Sequence, residues 1–373
     1  MPRLGLGLGL AKGSVLYSFF GTIISNFISR VTADGGTFEA QTCLQNYLNS
    51  LGQSLYNKAS LIITPNAYKA AKIYAIKPTN GSGDLTFSRA SARTRRNSSG
   101  IIESLANNVP ALNYPVSGCP AWLFEPQRTN IFLNSLTPAT QTITVVSGSI
   151  YTVSVGQGGT AVLSGAGSGT ASFGSSVTFT ASSTSLTVTI SGTPSYCQVE
   201  LGSFATSAIE TTGLQATRVT DSPILSNVYT NNLISASGGT WYIHFINNTS
   251  IVPDNTTGLF LGTNSASGFL GDSFNFRAAG PPSGRHKLWK YESGVGTSLF
   301  DTTTDTVKIA IKWNGSTVDV FVNGVKEVSA ISFTQVALQN LGITSLGRIF
   351  NIPQMMLFPT PLSDAELQSL TTL

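Results

Sequence analysis

The stretch "VKIAIKWNGSTVDVFVNGVKEV", residues 307–328, reads as two β-hairpins in series. Asn314-Gly315 and Asn323-Gly324 each interrupt an alternating run. Asn-Gly supplies the two positive-φ residues that a tight hairpin turn needs. Upstream, "TWYIHFIN" (240–247) sets Trp241, Ile243 and Phe245 against Tyr242, His244 and Ile246, which gives a strand with two different faces. Downstream the chain closes on "PLSDAELQSLTTL" (361–373). There Ser363 caps a helix, Asp364 follows, and Glu366 completes a capping box. Leu362, Leu367 and Leu370 would hold that helix to the sheets. Residues 216–373 are thus expected to form a β-sandwich with a short terminal helix.

The rest of the chain agrees in class. Of 373 residues, 37 are glycine and only 10% are charged, too few for the surface of an ordinary helical enzyme. Short Thr/Val/Ile runs such as "TITVVSGSIYTVSV" (142–155) and "SVTFTASSTSLTVTI" (176–190) lie between Gly and Ser turns. The glycine-rich run 156–174 does not end in Gly-Lys-Ser/Thr and lies between strands, so it is not a phosphate loop. The fold class expected is mainly β with an α-helical N-terminal region. Cys43, Cys119 and Cys197 are odd in number and far apart, which is neither a zinc pattern nor a disulfide framework. That reading expects free thiols and a reducing compartment.

Two segments ask for a special explanation. In "LTFSRASARTRRNSSGIIES" (85–104), Arg89, Arg93, Arg95 and Arg96 crowd together in a chain whose net charge is only +4. No aromatic residue interleaves them, and no broad basic footprint surrounds them. Nucleic acid is therefore not expected as a partner, and local ion pairs are. The N-terminus opens with Leu4, Leu6, Leu8 and Leu10 alternating with glycine, an extended arm. Apolar pairs then recur every four residues: Val15-Leu16, Phe19-Phe20, Ile23-Ile24 and Phe27-Ile28. On a 3.6-residue helix such a stripe winds, which suits partner helices or a curved groove. The run is short for a membrane span and is broken by Ser14, Ser18, Ser25 and Asn26. A signal peptide is the other reading, with Arg3 and Lys12 as its basic region and Val31 and Ala33 before the cleavage point. A second helix is expected over 42–58 with Leu44, Leu48, Leu51 and Leu55 on one face, buried in a core or between subunits.

Residues 74–135 carry a resemblance. Gly83, Asp84, Phe87, Arg89, Ser91, Thr94, Arg95, Asn97, Gly100 and Glu103, then Pro110, Tyr114 and "EPQRTN" (125–130), resemble a segment of bacteriophage tail-fibre, head-fibre and other minor virion proteins. Arg96 and Ala111 depart from that pattern. "YCQVELGSFATSAIETTG" (196–213) is similar to the end of a jelly-roll module in such proteins, with Ala208-Ile209-Glu210 in place of its usual Tyr-Ile-Pro. The C-terminal segment resembles a concanavalin A-like (laminin G-like) sandwich. The organisation implied is an N-terminal anchoring arm with helices (1–73), a signature β region (74–136), a jelly-roll β-sandwich (137–215) and a concanavalin A-like sandwich (216–373). Glu103 and Glu125 are the salt partners expected for Arg89 and Arg95.

The function implied is that of a structural subunit of a virion fibre or spike, leaning to a capsid-decorating head fibre over a tail fibre. It would be a homotrimer on the phage particle, attached to capsid or tail proteins and adhering to glycans. The alternatives are a tail fibre or receptor-binding protein, a decoration protein without ligand, and a secreted bacterial glycan-binding protein. Trp289, Tyr291 and His286, in a loop expected at "SGRHKLWKYESG" (283–294), are the ligand-binding candidates. Aromatic faces there could stack on sugar rings. The contrasting reading has Trp289 plugging the sandwich edge. No catalytic residues, cofactor or metal ligands are expected. With two histidines and 17 acidic residues the chain offers no nucleophile or zinc motif, and spacing gives Glu200 and Glu210 no support as a glycosidase pair.

Overall fold

The computed structural model describes residues 11–235, 237–247, 257–263, 271–278, 286–334, 336–343 and 348–373. The chain is mainly β. A large sandwich carries a smaller one inserted in its sequence. Its ten-stranded antiparallel sheet runs Thr37–Phe38, Ala67–Lys69, Lys72–Ile73, Leu85–Ser88, Ser222–Leu225, Asn340–Ile343, Thr257–Gly262, Ser273–Ala278, His286–Glu292 and Val295–Thr302. The facing eight-stranded sheet runs Val325–Ser332, Thr317–Val322, Thr306–Trp313, Gly239–Asn247, Phe350–Phe358, Ala121–Phe124 and Leu112–Asn113, with Leu61–Ile63 also paired to Phe350–Phe358. Between the sheets lie Trp241, Ile243, Phe245, Phe274, Phe276, Leu288, Ile309 and Trp313, all fully buried.

The ladders cross the boundaries expected at 73/74 and 215/216. Ile62 pairs with Met356, and Pro223 with Phe87. The signature region is likewise divided: Leu85–Ser88 joins one large sheet, Ala121–Phe124 the other, and Arg128–Asn130 the small sandwich. Strands of two to four residues cannot bury a face of their own. Their partners are fixed by distant segments, which a local pattern does not reveal. The strands of 137–215, with Arg128–Asn130 and Ala216–Arg218, form the five- and four-stranded sheets of the small sandwich. Phe132, Val153, Ala161, Leu186, Val188 and Val199 fill its core.

The local signals are in place. Asn323 and Gly324 have φ of 48° and 86°, the tight turn expected. At Asn314-Gly315 only Gly315 has positive φ, 91°, and the Asn314 side chain closes a longer turn by accepting from the Ser316 and Thr317 amides. Ser363 and Glu366 close the capping box on helix α3 (Asp364–Thr371). Leu362 and Leu367 are buried beneath α3, and Leu370 is partly so.

Of the partners open to the N-terminal helices, the structure shows their own chain. Helix α1 (Ala11–Ala33) and helix α2 (Gln41–Lys58) lie on the outer face of the eight-stranded sheet. Phe20, Ile24, Phe27 and Val31 of α1 and Leu44, Leu48, Leu51 and Tyr56 of α2 pack there with Tyr242, Ala310, Phe321, Met356 and Phe358. The buried positions 20, 24, 27 and 31 alternate steps of four and three. This is how a stripe drawn at strict fours adjusts to a 3.6-residue helix. The groove for α1 is thus supplied by its own chain, and α2 is a core helix. Val31 and Ala33, expected at a cleavage point, belong to the last turn of α1. No helix among the described residues is long and apolar enough to cross a membrane. The Leu4–Leu10 arm and the side chains of Val15 and Leu16 lie outside the described residues.

The cysteine expectation is overturned. Cys43 and Cys119 form a disulfide across 76 residues, with Cα atoms 5.7 Å apart. It ties the start of α2 to the loop before Ala121–Phe124. An odd count hides a pair when the third cysteine is a core residue of another sandwich. Cys197 is that residue, and burial pushes its thiol up to about 12.

Candidate functional site

The outer face of the eight-stranded sheet is occupied by helices. The ten-stranded sheet carries the side chains that could meet a ligand, on the strands Ser273–Ala278 and His286–Glu292. Register sets Arg277 beside Lys287, Asn275 beside Trp289 and Ser273 beside Tyr291. Alternation places Phe274, Phe276 and Leu288 in the core, and so turns Arg277, Lys287, Trp289 and Tyr291 to the outer face.

There the rings of Trp289 and Tyr291 lie 6.2 Å apart, inclined by 32°. The Arg277 guanidinium carbon is 5.5 Å from the Trp289 ring and 4.7 Å from the Tyr291 ring. Arg277 is buried, whereas both rings are half-buried, so the cation backs an aromatic shelf. Burial lowers the Arg277 pKa, and Tyr291 opposes that shift. Tyr291 lies flat over Gly296 of the edge strand, where a Cβ would come within 2.7 Å of its ring. Rigid, partly exposed rings of this kind can stack on the apolar face of a sugar.

The three sequence candidates are not in a loop, and the structure does not keep them together. They lie on one strand, and alternation separates them. His286 faces the core, fully buried, 5.4 Å from the Phe245 ring and 6.0 Å from the Phe276 ring. Its Nδ1 is 3.0 Å from Nη1 of Arg348. Burial, and then Arg348, hold the imidazole down to about 4, so it is neutral and does not reach the shelf. Trp289 does not plug the edge, because the strand Val295–Thr302 lies beyond it. Sequence reasoning missed Arg277. The only available signal was its position in the alternating "SFNFRA" (273–278).

The four arginines singled out in the sequence serve the fold. Arg89 pairs with Asp221 at 3.2 Å. Arg93 pairs with Asp221 at 2.6 Å and Glu125 at 2.5 Å, and Arg218 meets Glu125 at 3.1 Å. All five side chains are buried where the two sandwiches meet. Burial pushes the Glu125 carboxyl up, but Arg218 and Arg93 more than reverse this and leave it below its usual value. Burial lowers Arg89 to about 10. Arg95 pairs with Glu103 at 2.7 Å, as expected, and with Glu39 at 2.8 Å. Glu125 is not the partner of Arg89 or Arg95, and Asp221 was not foreseen. Arg96 donates to the Gly100 carbonyl at 3.3 Å.

Other signature residues also serve the architecture. Asp84 accepts from Arg30 of α1 at 3.0 Å and from the Ala75 amide at 2.9 Å. Buried Asn130 accepts from the Phe132 and Val199 amides and donates to the Ile209 carbonyl. A polar cleft of about 530 Å³ includes Glu39, Arg95, Asn97 and Tyr114. Both of its carboxylates are already engaged: Glu39 accepts from Tyr68, Arg95 and Tyr114, and Glu103 from Arg95 and Asn97. Among the described residues no group of three His, Cys, Asp or Glu side chains is placed to hold a metal ion.

No family model matches the chain, and no curated protein is similar to it in sequence. Solved structures share parts of it. Domain 4 of AbnA, an extracellular GH43 arabinanase from Geobacillus stearothermophilus in complex with arabinotriose, is 14% identical. It covers 42% of this chain and 77% of its own, with a TM-score of 0.32. The CBM40 domain of the Ruminococcus gnavus IT-sialidase is 16% identical over 37% of this chain and 84% of its own, with a TM-score of 0.27. A K499G mutant of NanB sialidase from Streptococcus pneumoniae is 14% identical over 38% of this chain and 25% of its own, with a TM-score of 0.30. At these scores the similarities carry no argument about the site.

Proposed function

We propose that this chain is a non-catalytic subunit of a phage virion fibre or spike, leaning to a capsid-decorating head fibre, that adheres to glycans through the Trp289–Tyr291 shelf. The observation that carries the adhesive part is the pair of half-buried rings backed by Arg277 on the outward face of the ten-stranded sheet. A glycan held by two rings is bound weakly. A homotrimer displayed in many copies multiplies that affinity through avidity. The virion part rests on the signature of residues 83–130, whose Asp84, Arg89, Arg95, Glu125 and Asn130 are all engaged in internal contacts. Sedimentation of the purified chain tests the trimer, and its presence in purified particles tests the virion assignment.

A second reading, a decoration protein without ligand, is favoured by the same rings being only half-exposed and spent partly on covering Arg277. A glycan array probed with the wild type and with Trp289→Ala separates the two. Adhesion predicts sugar-dependent signal that the variant loses. No signal in the wild type supports the decoration reading, and an equal sugar-dependent signal in both removes the shelf as the binding site.

A further inference from the structure

The fully buried arginines of this molecule are not all alike. Arg89, Arg93 and Arg218 each face a carboxylate within 3.2 Å. Arg348 is equally buried, just before the strand Phe350–Phe358, and its one hydrogen-bond partner among the described residues is the neutral ring of His286. Its Nε and Nη2 have no hydrogen-bond partner among the described residues. Rings of Phe245 and His286 line its surroundings, with the Arg348 guanidinium carbon 5.6 Å from the Phe245 centroid. The nearby Asp305 carboxylate is exposed and accepts from Asn247 Nδ2 at 3.1 Å.

A guanidinium removed from water without an anion is among the costliest arrangements in a protein interior. The two unsatisfied donors are also adjacent. Nε–H and the neighbouring Nη2–H project in parallel from one edge of the guanidinium, the edge that holds an anion in bidentate fashion. Nη1, on the other edge, donates to His286 Nδ1. That contact requires an unprotonated Nδ1, so the imidazole proton sits on Nε2 and the ring adds no second positive charge. His286 is therefore a positioning residue that orients the fork.

We propose that Arg348 holds a small monovalent anion, of halide or formate size, at its Nε–Nη2 edge, with His286 fixing the guanidinium from the opposite side. The site lies in the core at one end of the large sandwich. It is distinct from the outward shelf, because His286 and Trp289 face opposite sides of one sheet. Its ligand acts as a structural counter-ion, so occupancy reads out as stability.

The test is thermal unfolding of the full-length wild-type chain at fixed ionic strength. Sodium gluconate is replaced stepwise by sodium chloride, bromide or formate, which separates halide from carboxylate occupants. The expected result is a saturable rise in melting temperature of about 2 °C or more in at least one of the small anions. Arg348→Met should abolish the saturable response. His286→Phe, which keeps a ring but removes the Nδ1 acceptor, should raise the half-saturating concentration about tenfold. A flat response in the wild type, or an undiminished one in Arg348→Met, overturns the site. Should Arg348→Met fail to fold, crystals of the wild type soaked in bromide decide. An anomalous peak beside Nε and Nη2 of Arg348 supports the site, and its absence there overturns it.

Discussion

Arg93 and Arg277 are both buried cations in this molecule, and they are held in opposite ways. Arg93 sits where the two sandwiches meet, between Asp221 and Glu125, and those carboxylates in turn hold Arg89 and Arg218. Arg277 lies against the rings of Trp289 and Tyr291 on an outward face. The first arrangement joins segments from residues 89, 93, 125, 218 and 221, so it locks the chain to itself. The second stiffens a surface whose rings are half-buried. The difference separates residues that build the fold from residues left over for a ligand. Breaking the first should cost stability. Breaking the second should cost binding and little else.

The largest effect is expected at the junction. Glu125→Gln leaves Arg93 and Arg218 short of a buried counter-charge and should destabilise by about 3–5 kcal/mol in denaturant unfolding. If it costs no more than a surface change, the junction is not the lock described. The sign of its pH dependence follows from its lowered pKa. The stability it contributes is present above the usual carboxylate value and is lost as pH falls through the depressed one. Removing the disulfide with Cys43→Ser and Cys119→Ser should cost about 4 kcal/mol, because it closes a long loop in the unfolded chain. Mass spectrometry before and after reduction checks that the bond exists.

Glu200 sharpens the comparison from within the small sandwich. It too is buried near Arg218, but burial dominates and raises its pKa. A raised carboxyl contributes stability that is fully present below its usual value and lost as pH rises through the raised one. Glu200→Gln should therefore leave stability at pH 7 unchanged or higher and flatten its dependence on pH. A loss as large as that of Glu125→Gln would show that Glu200 is a working partner of Arg218. Among the substitutions expected to destabilise, the smallest loss is at the shelf. Trp289→Ala with Tyr291→Ala should lower stability by about 1 kcal/mol, since both rings are already partly in water.

Much of this fold was legible where the deciding interactions are local. The Asn-Gly turns, the alternation of Trp241, Ile243 and Phe245, and the Ser363–Glu366 box each depend on residues a few positions apart. Arg95 and Glu103, across one hairpin, belong to the same class. What stayed hidden depends on distant partners. Asp221 lies 128 residues beyond Arg93, Cys119 lies 76 beyond Cys43, and Ile62 pairs with Met356. Helix α1 looked available to a partner because the sheet that covers it is encoded some 200 residues later, at Tyr242 and beyond. The site was half legible. Trp289 and Tyr291 carry the chemistry of a sugar platform in their side chains, whereas His286 is only close to them in sequence, and strand alternation sends it to the other side of the sheet.

The measurement closest to the central claim is glycan binding by the wild type and by the Trp289→Ala, Tyr291→Ala double variant, with unfolding of both recorded alongside. The expected result is a wild type that binds at least one host-surface or environmental glycan, and a variant that folds normally and has lost that binding at least tenfold. A variant that folds normally and binds as the wild type does would contradict it.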